Sequence, residues 1–150
     1  METIVILSLG TNLGDKEKNL KLAIEKINQS IGSVLKISNF HISQPWGFKS
    51  EYQFLNCCCQ IMSKLNPHQM LRQIKQIESS MGRQKSLQIG YEDRIIDIDI
   101  VLFGNQIVIE SELIIPHPNF KKRDFVLKPL LEISNQIDPE SFININQLNS

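Results

Sequence analysis

Apolar residues along this chain recur in two periods, and the switches between them predict its elements. Thr3 to Gly10 is a dense apolar run ending in Gly-Thr-Asn, which predicts a buried strand. Asp15 then suits the N-cap of a helix running to about Ile31. Leu20, Ala23, Ile24, Ile27 and Ile31 recur on it at helical spacing, and Gly32 is placed to end it. Val34 to Ile42 predicts a second strand, and Phe54 to about Ser63 a third. Between them lies a Pro/Gly-containing loop, Ser43 to Gln53. Asn66-Pro67, with Gln69 three residues after the Asn, is a strong helix start. That helix carries Met70, Leu71, Ile74, Ile77 and Met81 on one side, and Gly82 closes it.

Arg83 to Asp93 reads as a polar loop, and Arg94 to Phe103 as the clearest strand. Gly104-Asn105 is a tight-turn signal, so Ile107 to Ile109 is expected to form a hairpin with that strand. Leu113 to Ile115 predicts a further short segment, and Pro116 and Pro118 rule out a continuing central strand. Phe125 to Ile133 predicts a short helix, irregular near Pro129. From Ser134 the chain is polar and reads as a weakly structured end. Strand, helix, strand, strand, helix, strand is the split βαβ order. It predicts an α+β, ferredoxin-like βαββαβ core with an antiparallel sheet and helices on one face, followed by the hairpin and the short helix. A chain of 150 residues fits one domain, 1–150, with its core at about 3–133.

The formal net charge is zero, so no global field favours nucleic acid or acidic membranes. Anion binding must come from a local basic cluster. The N-terminal apolar run is short and has no small-residue cleavage site after it, and no run approaches the ~18 apolar residues of a membrane span. Cys57, Cys58 and Cys59 are consecutive. Neighbours on a strand point to opposite faces, so the three cannot grip one metal ion together. They read as apolar filler on a buried strand. The expectation is a cytoplasmic, soluble protein, a monomer, with reduced thiols.

Chemistry concentrates on Arg94-Ile-Ile-Asp97-Ile-Asp99-Ile-Val-Leu-Phe103. Strand alternation puts Asp97 and Asp99 on one face, roughly 6.5–7 Å apart at the backbone, and Ile96, Ile98 and Ile100 on the other. A mid-strand acidic pair with apolar flanks is costly unless cations neutralise it. Mg²⁺ suits such a pair, because it takes one or two carboxylates together with substrate phosphates. Arg83, Lys85 and Arg94 lie in or beside the preceding loop, and His117, Lys121, Lys122 and Arg123 follow the turn. Arg can fork onto phosphate oxygens and Lys can act as a point charge. There is no G-x-x-x-x-G-K-[ST] loop, and Gly10-Thr-Asn-Leu-Gly14 reads as a strand-to-helix turn. Trp46, Phe48 and Tyr52 lie on the loop, and Phe54 and Phe125 are candidates to stack a flat heteroaromatic ligand. Asn56 points the same way as Phe54 and offers both a donor and an acceptor.

In order, these pieces resemble one family, the 6-hydroxymethyl-7,8-dihydropterin pyrophosphokinases, from about Ile4 to Ile133. The resemblance rests on Glu78-x-x-x-Gly82-Arg83, Arg94-x-x-Asp97-x-Asp99-Ile-x-Leu-Phe-Gly104, Pro116-His117 and Arg123-x-Phe125-x-Leu-x-Pro129-Leu130. Leu-Gly10-Thr-Asn12-Leu-Gly and Phe54-Leu-Asn56 fit as well. The resemblance implies a ferredoxin-like fold and transfer of the diphosphate of ATP to a pterin alcohol, with AMP released, on the route to tetrahydrofolate. It implies that Asp97 and Asp99 hold two Mg²⁺ ions. Glu78, Arg83, Lys85, Arg94, Ile100, His117 and Arg123 fall at ATP-binding positions. Ser43, Gln44, Trp46, Phe54, Asn56, Asp97 and Phe125 fall at pterin-binding ones, with Phe54 and Phe125 sandwiching the ring. Asp97, Asp99, Arg83 and Arg94 are the expected catalytic set, with Asp97 as proton acceptor. The loops Ser43 to Gln53 and Arg83 to Asp93 are expected to close over bound ATP.

Four positions depart from the family's pattern. Lys85 stands where arginine is frequent, Tyr91 where a tryptophan is common, Phe54 where tyrosine is common, and Pro118 where an aromatic often follows the histidine. Other readings of the same residues are a non-catalytic ferredoxin-like small-molecule-binding module, a different metal-dependent phosphotransferase, and a nuclease, the last weakened by the neutral charge.

Overall fold

The computed structural model of the protein describes residues 2–45, 52–82 and 93–134. Strand β1 (Thr3–Thr11) is followed by helix α1 (Lys16–Ser30), β2 (Ser33–Ile37), β3 (His41–Ser43) and β4 (Phe54–Ser63). Then come α2 (Pro67–Ser80), β5 (Asp97–Phe103), β6 (Val108–Ile109), β7 (Ile114–Ile115), a 3-10 turn at Phe120–Lys122, and α3 (Asp124–Ile133). The helix starts follow the sequence signals. Asp15 accepts the Lys18 N–H at 3.2 Å, and Asn66 forms a reciprocal capping box with Gln69. Such caps are worth about 0.5–2 kcal/mol each.

The main sheet runs β2-β4-β1-β5, with β3 also paired to β4, and every pairing in it is antiparallel. Alternation divides its side chains between two cores. Val5, Leu7, Leu9, Cys57, Cys59, Ile61, Ile98 and Ile100 face α1 and α2. Ile6, Cys58, Val101 and Leu102 face α3. Helices therefore cover both faces among the described residues, where the sequence reading had them on one. The short last helix is apolar enough (Val126, Leu127, Leu130, Ile133) to need a sheet face of its own.

A register shift explains why Val101 and Leu102 share a face. Leu7 pairs with Ile100 but Ile6 pairs with Leu102, so Val101 is an extra residue in β5. The bulge reverses the alternation beyond it, and Phe103 returns to the α1/α2 side.

Three further expectations are corrected. The segment predicted as one strand over Val34 to Ile42 is β2 and β3 with a break at Ser38 to Phe40. The Ser38 hydroxyl accepts the Cys58 N–H at 2.9 Å, replacing a ladder carbonyl, and Phe40 packs against the larger core. The turn at Gly104 forms, with φ +55° at Gly104 and Gln106 N–H donating to Phe103 at 3.0 Å. Yet β6 pairs with β7 rather than with β5, because His117 N–H takes the Val101 carbonyl on the free edge of β5 at 3.0 Å. Lastly, the strand-to-helix turn read over Gly10 to Gly14 is shorter, because β1 continues to Thr11 before Asp15 caps α1. No helix among the described residues is long and apolar enough to cross a membrane.

The three cysteines are free and fully buried, as apolar filler should be. Burial pushes the Cys57 thiol up to about 12 and raises Cys58 and Cys59 as well, so none is a ready nucleophile.

Candidate functional site

At the open end of the α3 face, the sheet carries polar and small residues in place of core. Gly10 pairs with Asn56 on one side and Asp97 on the other, and Ser8 pairs with Cys58 and Asp99. These rows floor a cleft lined by Ser8, Gly10, Phe54, Asn56, Asp97 and Asp99, with Ser43, Gln44 and Arg94 at its sides and Arg123 and Phe125 from the start of α3. Gly10 is required by close approach. A Cβ there would lie 3.0 Å from Asn56 Oδ1 and 3.6 Å from the Phe54 ring, so the glycine keeps the floor open.

The Asn56 amide is oriented by its neighbours. Its Nδ2 donates to the His41 carbonyl at 3.2 Å and to Ser43 Oγ at 2.7 Å. A carbonyl only accepts, so the amide nitrogen must face β3. The Oδ1 acceptor is left toward the open space above Gly10.

Asp97 and Asp99 are half-buried on the same face, while Ile98 and Ile100 between and beyond them are core. Arg94 Nη1 lies 3.2 Å from Asp97 Oδ1. The Asp99 carboxyl is raised well above the usual carboxylate range. Desolvation is the main cause, and the Asp97 charge adds to it, against opposing pulls from Arg123 and Arg94. Glu78 reaches from α2 to accept the Ile98 N–H at 2.9 Å, fixing the backbone between the two aspartates.

A second cleft lies along the free edge of β5. Leu71 and Ile74 of α2 form one wall, Ile98 and Ile100 the floor, and Ser111 to Ile114 with His117 and Pro118 the other wall. Asp99 belongs to both clefts. His117 Nε2 sits 3.9 Å from Asp99 Oδ2. Burial, aided by the Arg123 charge, lowers its pKa to about 4, so the ring is neutral near pH 7.

The structure thus brings together Ser43, Gln44, Phe54, Asn56, Arg94, Asp97, Asp99, Arg123 and Phe125 in one cleft, and Ile100, His117 and Asp99 in the other. Arg123 is 4% exposed and its guanidinium lies 5.6 Å from the centre of the Phe125 ring. Lys121 and Lys122 are exposed and line neither cleft. Glu78 lines neither cleft and holds the β5 backbone at Ile98. Trp46, Phe48, Arg83, Lys85 and Tyr91 lie outside the described residues. Sequence reasoning missed Ser8 and the floor role of Gly10. It also read Leu71 and Ile74 as plain helix core and saw no cleft wall in Ser111 to Ile114.

An α+β sheet whose two clefts meet at one carboxylate has the architecture of an enzyme that joins two small substrates. The chain belongs to the 7,8-dihydro-6-hydroxymethylpterin-pyrophosphokinase (HPPK) family, whose pattern matches residues 6–135. It is 42% identical over 140 residues to the 2-amino-4-hydroxy-6-hydroxymethyldihydropteridine pyrophosphokinase of Porphyromonas gingivalis, covering 92% of this chain and 95% of that one. It is 37% identical over 142 residues to the pyrophosphokinase of the same name from Bacillus subtilis, covering 94% of this chain and 84% of the relative. The crystal structure of wild-type Plasmodium falciparum HPPK-DHPS superposes with a TM-score of 0.80 over 99% of this chain and 44% of its own, at 16% identity. That likeness speaks for the fold alone, and this chain spans less than half of that longer protein.

Proposed function

We propose that the protein transfers the terminal diphosphate of ATP to the hydroxymethyl oxygen of 6-hydroxymethyl-7,8-dihydropterin, releasing AMP, in folate biosynthesis. The observation that carries this reading is that both clefts open on Asp99. One is walled by two aromatics and an oriented amide, the other by aliphatic side chains. A bicyclic ring fits between Phe54 and Phe125, with Asn56 Oδ1 accepting from a ring N–H. Ser43 and Gln44 belong to the same side, and Trp46 is assigned to the pterin from the family resemblance alone. A nucleotide base fits against Leu71, Ile74, Ile98 and Ile100, which directs its triphosphate toward Asp99.

The donor set suits a hard divalent cation. Asp97 and Asp99 share a face, and ionised Asp99 is disfavoured by burial and by its neighbour, a penalty that a cation relieves. Among the described residues no group of three or more His, Cys, Asp or Glu side chains is placed to hold a metal ion, so two Mg²⁺ ions would complete their shells with phosphate oxygens and water. Bound there, Mg²⁺ would neutralise the triphosphate and polarise the reacting oxygens. Arg94 and Arg123, with Arg83 and Lys85, are assigned to the phosphates, and neutral His117 donates a hydrogen bond rather than a charge. The pterin hydroxyl oxygen bonds to the β-phosphorus, the bond to the AMP oxygen breaks, and Asp97 is assigned the hydroxyl proton. No covalent enzyme intermediate is required.

The strand order β2-β4-β1-β5, antiparallel throughout, supports a ferredoxin-like core. Three buried free thiols suit a reducing cytoplasm, and we read the chain as a single-domain monomer. A non-catalytic binding module on the same fold does not account for two clefts that share the Asp99 carboxylate, with Asp97 beside it on the same strand face. Nucleotide product analysis with purified protein, ATP, Mg²⁺ and the pterin alcohol decides the matter. AMP formed only when the pterin is present supports diphosphate transfer, ADP would mean simple kinase chemistry, and no turnover would leave the binding module.

A further inference from the structure

Helix α3 serves the first cleft from both ends. Phe125 lies in its first turn and lines the cleft, and Glu132 lies in its last. Two helical turns separate them, so the two side chains share one face, about 10 Å apart along the axis. Glu132 reaches across to β3 with both carboxylate oxygens. Oε1 accepts the Asn39 N–H at 2.7 Å. Oε2 lies 2.5 Å from His41 Nε2, and because a carboxylate only accepts, the ring donates.

What Glu132 grips leads directly to the ligand-reading amide. The His41 carbonyl and Ser43 Oγ are the two acceptors that orient Asn56. Strand β3 is only three residues long and, among the described residues, pairs with β4 alone, so its ladder fixes it weakly. The His41 and Glu132 side chains are each 30% exposed. A pair that exposed adds little to global stability, so its consequence is geometric.

We propose that Glu132, acting through His41 and Asn39, is a positioning residue that sets the spacing between the Phe125 wall and the Asn56–Ser43 wall, and so tunes affinity for the pterin but not for the nucleotide. This rests on the assignment of the pterin to the first cleft. Among the described residues, none of Glu132, His41 and Asn39 lines the second cleft, whose walls come from α2, β5 and the segment from Ser111 to Pro118.

The test is equilibrium binding of the pterin alcohol, followed by its fluorescence with a non-hydrolysable ATP analogue and Mg²⁺ present, beside binding of the analogue itself. Glu132→Ala is expected to weaken pterin binding about tenfold, with the analogue's Kd within about twofold of wild type. Glu132→Gln should restore most of the affinity, since its oxygen still accepts from Asn39 and its amide donates to the other tautomer of His41. If Glu132→Ala does not fold, His41→Ala removes one arm of the strut and is expected to show the same split. Unchanged pterin affinity, or equal weakening of both ligands, overturns the proposal. Phe125→Ala separates the two levels of the argument. Pterin affinity lost in Phe125→Ala but kept in Glu132→Ala sinks the strut alone, and affinity kept in both sinks the cleft assignment.

Discussion

Asn12 holds the backbone of Arg94 from two sides: its Oδ1 accepts the Arg94 N–H at 2.8 Å, and its own N–H donates to the Arg94 carbonyl at 3.1 Å. Its Nδ2 donates onward to the Tyr52 carbonyl at 3.1 Å and to Asp93 Oδ1 at 2.6 Å. Asn12 is 1% exposed and so ties β1 to the residues that enter the cleft on both sides. Asn12→Ala should destabilise the fold by about 1–3 kcal/mol, because it removes the three side-chain hydrogen bonds to Arg94, Tyr52 and Asp93. It should also cut turnover about 100-fold, because Arg94 and Asp97 lose their fixed approach. Denaturant melts and steady-state rates well below the melting temperature check this, and a variant that melts early yet turns over normally would refute the anchoring role.

Asp99 should be a residue whose removal stabilises the metal-free protein. Its folded pKa is raised above the unfolded value of about 3.9. Folding therefore disfavours the ionised form near pH 7, and that penalty fades as pH falls through the folded value toward about 3.9. Asp99→Asn should melt higher than wild type at pH 7 without Mg²⁺, with the gap shrinking on acidification and on adding Mg²⁺. Turnover should fall roughly 10²–10³-fold. Calorimetry across pH with and without Mg²⁺ is the check, and a lower melting point for the variant at pH 7 without metal contradicts it.

Legibility in the sequence tracked local chemistry. The faces of β5 could be read because Asp97 and Asp99 mark the phase among isoleucines. The start of α2 could be read because Asn66, Pro67 and Gln69 each act within one turn. The bulge at Val101 was hidden, since Ile-Val-Leu-Phe carries no polar residue to reveal a reversed face. The break at Ser38 depends on the Cys58 amide, twenty residues away in sequence. The hairpin expectation failed because a turn signal states where a chain reverses but not which edge it then joins. Ser8 and Gly10 did leave a signal: both are small, and both share the phase of Ile6 on β1, where the facing core runs out. Small residues on one strand face mark a close approach, and here that face is the cleft floor.

His117 should make the protein acid-sensitive in a defined window. Its folded pKa of about 4 lies below the unfolded value of about 6.5. Protonation thus favours the unfolded chain. The stability contributed by neutral His117 is complete above about pH 6.5 and is lost as pH falls from there toward about 4. Asp99 titrates in the opposite sense over part of that range, so the clean comparison is between metal-free Asp99→Asn and the double variant Asp99→Asn/His117→Gln. The double variant should lose less stability between pH 6.5 and 4. Parallel stability curves for the two proteins would rule out the burial argument for His117.

Gly10→Ala tests the cleft floor without touching a charged group. The added methyl would sit 3.0 Å from Asn56 Oδ1, closer than ordinary contact, so the amide must shift by a few tenths of an ångström. Asn56 cannot turn away freely, because its nitrogen is held by His41 and Ser43. The methyl also fills space above the strand where the ring would lie. Pterin affinity should drop about tenfold or more, while the second cleft, which Gly10 does not line, should bind an ATP analogue as before. The backbone at Gly10 is an ordinary strand, outside the positive-φ glycines, so the melting temperature should move by only a few degrees. Isothermal titration with each ligand separates these outcomes. Equal losses for both ligands would mean that the alanine disturbs the sheet as a whole, and unchanged pterin binding would mean that the ring does not lie over Gly10.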